Sequence, residues 1–203
     1  MPELLAPLRS MTYPGRVIII GAGPRPGKAV VLYAITGRSP ASQARRLRRE
    51  ARSVWTEPVD EETLLQGNPE LLVYRALAFE SGIAVSNGRQ TDGLASVLND
   101  RGPEAEPLLV LGEALQSWDF EPDAPHFTPR ISGCVQPGGR AGLSLIRRGA
   151  TGTADRAAFS WELQPGRGRL IATYDGVEAN PLPSFEGAPR ELSIPYGEAR
   201  PLA

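Results

Sequence analysis

Val17-Ile18-Ile19-Ile20-Gly21-Ala22-Gly23-Pro24-Arg25-Pro26-Gly27-Lys28-Ala29-Val30-Val31-Leu32 can be read in two ways that lead to different folds. In one, a strand runs into a G-x-G loop that opens a helix, whose N-terminus would hold a pyrophosphate. In the other, two strands meet across a polar loop. Pro24 and Pro26 follow the glycines where the helix would have to begin, and residues 29–35, AVVLYAI, are apolar and partly β-branched. That composition suits a strand. A hairpin is therefore predicted, and the dinucleotide fingerprint is rejected.

Outward from this hairpin, short apolar runs alternate with turn residues. Strands are predicted at 17–20, 29–36, 54–55, 71–79, 83–85, 131–135, 143–147, 158–163 and 170–174, about nine in all. Residues 71–79 and 83–85 read as a hairpin across Glu80-Ser81-Gly82, and 165–169 reads as the link of a second hairpin. Helices are predicted at 91–99 and 103–118; in the latter Leu108, Leu111, Leu115 and Trp118 recur at helical spacing. The basic run 45–52 reads as a solvated face, and 190–194 as one short element. Sequential strands with helices segregated in mid-chain predict an α+β fold with mostly antiparallel sheets. One domain is expected over 13–203, after an extension at 1–12 in which Met11 is an alternative start.

The richest polar stretch is Ser86-Asn87-Gly88-Arg89-Gln90-Thr91-Asp92-Gly93, between a strand and a helix. Asn-Gly takes up positive φ readily, and Thr91 or Asp92 is placed to cap the helix. Amide, hydroxyl, guanidinium and carboxylate groups beside a helix N-terminus suit an anion or a polar small molecule. The same residues are also ordinary turn chemistry.

Whole-chain totals narrow the field further. The 203 residues carry a net charge of −1, which argues against nucleic-acid or anionic-membrane partners. Lys28 is the single lysine among 22 basic residues, and His126 the single histidine. Cys134 stands alone, excluding a disulfide framework and a cysteine metal site, and reads as a buried core residue. No apolar run approaches the ~20 residues of a membrane span, and no signal pattern opens the chain. The cytoplasm is the expected location.

A set of short pieces stands in order along the chain: Tyr13-x-Gly15-Arg16, Tyr33-x4-Arg38-Ser39, Asn68-Pro69-Glu70-x3-Tyr74, Val85-Ser86-Asn87-Gly88-x2-Thr91-Asp92, Asp119-Phe120-Glu121, Thr128-Pro129-Arg130-Ile131 and Thr173-Tyr174. Together they resemble the archaeal-type IMP cyclohydrolase family. The resemblance implies a four-layered αββα sandwich like that of N-terminal-nucleophile hydrolases, without the terminal nucleophile. It implies closure of formamidoimidazole carboxamide ribonucleotide to IMP, a cyclohydrolase running in the ring-closing direction. The implied partner is a purine-precursor nucleotide, and the implied assembly a homo-oligomer. Arg89 and Gln90 stand where the family motif usually has Ser-His, and Phe127 where it usually has Asn. These differences keep two alternatives open: a related cyclisation or deformylation of another imidazole or pyrazole nucleotide, and a non-catalytic nucleotide-binding protein.

Ring closure needs positioning, a donor at the formyl oxygen and two proton transfers; it needs no metal or cofactor. Arg38 and Arg130 are candidates for the phosphate or the developing oxyanion, because guanidinium is permanently charged and bidentate. Ser39, Ser86, Gly88, Thr91 and Thr128 complete the candidate substrate-binding set. The candidate catalytic residues are Asn87, Asp92, Tyr33, Tyr74 and Asp119, although a lone Asp at the spacing of Asp92 favours a helix cap. Glu121 is a further carboxylate nearby.

Overall fold

A computed structural model describes residues 6–25, 27–60, 62, 65 and 69–195. Strands β1 (Arg16–Ala22) and β2 (Ala29–Ile35) form the predicted hairpin, paired from Arg16↔Ile35 to Ala22↔Ala29. Gly23 N–H reaches the Lys28 carbonyl across its loop, so no helix follows the glycines. Short helices α1 (Ala6–Arg9), α2 (Pro40–Gln43) and α3 (Pro69–Leu72) punctuate the first half. Between α2 and α3 run β3 (Arg45–Glu50) and β4 (Ser53–Pro58), and β5 (Arg75–Phe79) and β6 (Ile83–Ser86) come next. Helices α4 (Gln90–Arg101) and α5 (Pro107–Leu115) precede β7 (Arg130–Val135), β8 (Arg140–Arg148) and β9 (Ala154–Glu162). The last strands are β10 (Arg167–Ala172) and β11 (Arg190–Ser193).

These strands make two antiparallel sheets, a small one in the order β11-β10-β1-β2 and a large one in the order β3 to β9. The α+β class and antiparallel pairing expected from the sequence are both present. Where the sheets face each other, Ile18, Ile20 and Ile171 pack with Ile131, Leu143 and Leu145. A Cβ on Gly133 would lie 2.7 Å from Ile20 Cδ1, so a glycine lets β1 cross close over β7. On the other face of the large sheet, Leu94, Leu98, Leu111 and Leu115 cover Ala78, Ala84, Cys134 and Ile146. Both long helices pack there. The described residues therefore stack in three layers, and the second helical layer of an αββα sandwich is not among them.

Several expectations are corrected. Residues 71–74 do not extend a strand: Pro69 opens a helical turn, and Thr56 holds the bend that follows. The Thr56 hydroxyl donates to Leu72 O (2.8 Å) and accepts from Tyr74 N–H (2.9 Å). The link 165–169 does not close a hairpin either. β9 pairs only with β8, and β10 crosses to the small sheet to pair with β1 and β11. The basic run is strand β3, solvated except at its first residue, Arg45, which is buried. Leu108 was expected on the covered face of α5 but is 47% exposed, and Val110 is buried instead. Asn68, from the third quoted piece, lies outside the described residues.

Candidate functional site

At the end of the sandwich where β1 begins, three arginines converge on a cavity of about 210 Å³. Arg16 arrives on β1, Arg38 on the segment leaving β2, and Arg45 on the first residue of β3. Opposite them, Glu121, Asp123 and Thr128 come from the loop before β7, and Tyr174 follows β10. Local sequence explains how Arg16 is aimed. Gly15 has φ +73°, and a Cβ there would lie 2.0 Å from Thr173 Oγ1. Only glycine allows that approach. It lets the Thr173 hydroxyl accept from Arg16 N–H (3.1 Å) while donating to Pro14 O (3.1 Å).

Two of these arginines are buried with donors left unpaired. Arg16 and Arg45 are 8% and 7% exposed. Arg16 Nε and both terminal nitrogens of Arg45 have no hydrogen-bond partner; Arg45 Nε alone is used, on Ser42 O (2.9 Å). Such orphaned donors are costly and call for an explanation. Burial opposes the Arg16 charge, but the neighbouring Tyr74 and Glu121 favour it, and its pKa is raised. Burial and Arg16 together push Arg45 down. Guanidinium nevertheless stays charged in proteins. Three arginines therefore face two carboxylates, one of which is reluctant to ionise. Burial pushes the Glu121 carboxyl up, against the pull of Arg16 and Arg130.

The remaining hydroxyls are ordered. Thr128 Oγ1 donates to Asp123 Oδ2 (2.5 Å), so it accepts from the Tyr174 hydroxyl (2.7 Å). Burial raises the Tyr174 phenol to about 12, and it stays protonated at neutral pH. Tyr33 and Tyr74 share a hydrogen bond of 2.7 Å in the core beside Arg16 and Arg45. Burial, with Tyr74 alongside, raises Tyr33 well above its ordinary value. Arg38 lies exposed over the Tyr13 ring, 5.5 Å from its centroid, and Ser39 caps α2 by accepting from Ser42 N–H (3.2 Å).

The Ser86–Gly93 turn sits apart from these groups. Ser86 and Thr91 bond each other (2.5 Å) and the Gly88 carbonyl. Asn87 is fully engaged: Nδ2 donates to Pro129 O (2.8 Å), and Oδ1 accepts from Ile131 N–H (2.9 Å) and Gln90 Nε2 (3.0 Å). Neither Thr91 nor Asp92 caps the helix. The N-cap is Arg89, without a side-chain cap bond, and exposed Asp92 pairs with Arg75 (2.8 Å). Asp119 is exposed and binds its neighbour's N–H, while its carbonyl accepts from Arg130 Nε (2.7 Å). Arg130 lies over Trp118 and extends Nη1 to within 3.7 Å of Glu121 Oε1.

Of the sequence-derived candidates, the fold brings Arg38, Ser39 and Thr128 to the cavity wall, with Tyr33 and Tyr74 beside its arginines. Asn87, Ser86, Gly88 and Thr91 build the turn that positions Arg130, and Asp92 and Asp119 point elsewhere. Arg16, Arg45, Asp123 and Tyr174 were missed as site residues, and Glu121 was only noted. Arg16, Glu121 and Tyr174 do stand within quoted motif pieces. Arg45 was hidden among the five arginines of residues 45–52 and gave no separate signal. His126 does not line the cavity: its Nδ1 accepts from Leu182 N–H (3.1 Å), and burial and Arg38 lower its pKa. A wider hollow of about 610 Å³ at the opposite end of the sandwich brings no arginine to its wall.

The profile of a family described as IMP cyclohydrolase-like protein matches residues 13–195. An IMP cyclohydrolase of Thermococcus kodakarensis is 27% identical over 184 residues, which cover 90% of this chain and 84% of that relative.

Proposed function

The chain belongs to the IMP cyclohydrolase-like protein family, and on that footing we propose that it closes formamidoimidazole carboxamide ribonucleotide to IMP in purine nucleotide synthesis. The observation that carries the reading is the cavity wall of Arg16, Arg38 and Arg45, two of them buried with unused donors. Such a wall is complementary to an anion. A phosphate offers several acceptors to guanidinium groups, each charge-assisted hydrogen bond contributing about 1.5–3 kcal/mol.

In the ring closure the carboxamide nitrogen attacks the formyl carbon, and the formyl oxygen leaves as water. One hydrogen of that water comes from the carboxamide nitrogen and the other from the formamido nitrogen. No oxidant or reductant enters the balance. Amide nitrogen is a weak nucleophile, so much of the rate must come from holding the two groups at near-attack distance. Charge gathers on the formyl oxygen during attack, and a guanidinium or tyrosine hydroxyl within reach stabilises it by about 3 kcal/mol. Glu121, kept protonated by burial more readily than a surface carboxyl, is suited to deliver a proton to the departing hydroxyl. Its conjugate base then takes the proton released from nitrogen.

The reading carries further commitments: a purine-precursor nucleotide as ligand, a cytoplasmic site of action, and self-association of the 13–203 domain. The decisive experiment incubates purified, folded protein with the formamido nucleotide, with and without chelator, and separates products by chromatography. IMP should accumulate in both. Substrate recovered unchanged in both would overturn the proposal.

A further inference from the structure

Gln90 is fully buried at the start of α4, although nothing about a helix start requires a buried amide there. Its two ends are used differently. Nε2 donates to Asn87 Oδ1 at 3.0 Å, and Oε1 accepts from Arg130 Nη1 at 3.4 Å. The amide cannot be turned around. Asn87 Oδ1 is purely an acceptor and Arg130 purely a donor, so only this orientation satisfies both. Gly88 makes the meeting possible, because a Cβ there would lie 2.6 Å from Gln90 Oε1 and 2.8 Å from Arg130 Nη1. The same Nη1 is the atom 3.7 Å from Glu121 Oε1 on the cavity wall.

We propose that Gln90 is a positioning residue: its amide, locked by Asn87, holds Arg130 against the buried carboxyl of Glu121. Arg130 has other supports in the Asp119 carbonyl and the Trp118 ring. Those hold its Nε and its flat face, and Gln90 is what fixes Nη1. Of the charged groups, Arg130 is in contact with Gln90 and Arg89 and Asp92 lie on its own turn; Arg130 in turn feels Glu121, Arg16, Asp123 and Asp119. Glu121 in turn faces Arg16, Arg45, Arg130 and Asp123. Loosening Arg130 removes one of three cations that favour the Glu121 carboxylate. The role of the link in turnover rests on the proposed cyclohydrolase reading; the link itself does not.

Two measurements separate them. In the first, infrared difference titration of substrate-free protein follows the protonated carboxyl band of Glu121, identified by its loss in Glu121→Gln. Gln90→Met should move that midpoint upward by about one pH unit, a tenfold change in proton affinity. In the second, Gln90→Met should lower kcat about tenfold with little change in KM. Gln90→His restores a donor and an acceptor only while its imidazole is neutral. It should recover most of kcat at pH 8 and lose it below about pH 6.5, a fall the wild type lacks. An unmoved Glu121 band in Gln90→Met, or a Gln90→His pH profile identical to wild type, overturns the inference. A shifted band in a protein that does not close the nucleotide leaves the link standing and removes the reaction assigned to the site.

Discussion

Arg45→Met should make the protein more stable and its ligand binding weaker at the same time. Methionine matches the length of the arginine stem and demands no hydrogen-bond partners. In the empty protein the substitution removes a buried charge with two unused terminal nitrogens, a defect costing about 1–3 kcal/mol. It also removes the bond to Ser42 O, worth about 1 kcal/mol. A net gain of about 1 kcal/mol would raise Tm by roughly 2–4 °C in a domain of this size. With IMP at 100 times the wild-type Kd the order reverses. The wild type gains about 2.7 kcal/mol from binding. A variant bound ten- to a hundredfold more weakly gains only about 0.4–1.4 kcal/mol at the same concentration. Melting both proteins with IMP, with inosine and with neither reads every quantity. The inosine curves should resemble the empty ones, since the lost contact is to phosphate. An Arg45→Met protein that melts lower when empty and gains as much from IMP as the wild type would refute the cavity as an anion cradle.

Other outcomes follow from single contacts. Gly15→Ala should fail to fold or melt far below the wild type, because the new Cβ would sit 2.0 Å from Thr173 Oγ1 at φ +73°; a wild-type urea midpoint would contradict this. Glu121 has its carboxyl pKa raised on folding, so its contribution to stability is present below the unfolded value of about 4.3 and is lost as pH rises toward the folded value. Stability of the wild type relative to Glu121→Gln should therefore decline as pH rises from about 4, and parallel curves would show that Glu121 is not perturbed. Cys134→Ala should keep full turnover and lose about 1–2 kcal/mol in denaturant unfolding, because burial pushes the thiol to about 12 and it packs beneath α5. Deleting residues 1–11 removes the buried Met11 side chain and should cost about 1.5–3 kcal/mol, read by calorimetry, with activity per folded molecule unchanged.

What the sequence revealed divides along the range of the interactions. The β1–β2 hairpin was legible because two prolines and a run of apolar β-formers act locally. The α4 and α5 helices were legible from apolar spacing, though Leu108 and Val110 exchanged places because the sheet, not the helix, chooses the buried stripe. The helical turn at 69–72 was hidden, since apolar Leu71 and Leu72 read equally well as strand and the Thr56 contacts that bend the chain come from elsewhere. At the candidate cavity, Arg38 and Ser39 stood out at the end of an apolar strand and in the resemblance, Thr128 in the resemblance, and Arg45 in neither. One buried arginine among the five of residues 45–52 leaves no trace in composition. Asp92 shows the converse: a carboxylate beside a helix start looks poised for chemistry, while its partner Arg75, on strand β5, is far away in sequence.

The pairing of β1 with β10 also governs when the protein can become competent during synthesis. Ile18 finds its partner at Ile171, and the Arg16 backbone is held by Thr173. A growing chain on the ribosome has its first hairpin once Ile35 is made, but the strand's other edge stays open until β10, which begins at Arg167, has been added. Until then the apolar run Val17–Ile20 stays open on one side, the kind of segment that chaperones hold and that aggregates when they do not. The arginine cradle is assembled among the last features of the fold. A chain truncated before β10 would hold the whole large sheet and its helices, yet leave the outer edge of the β1–β2 hairpin without its partner.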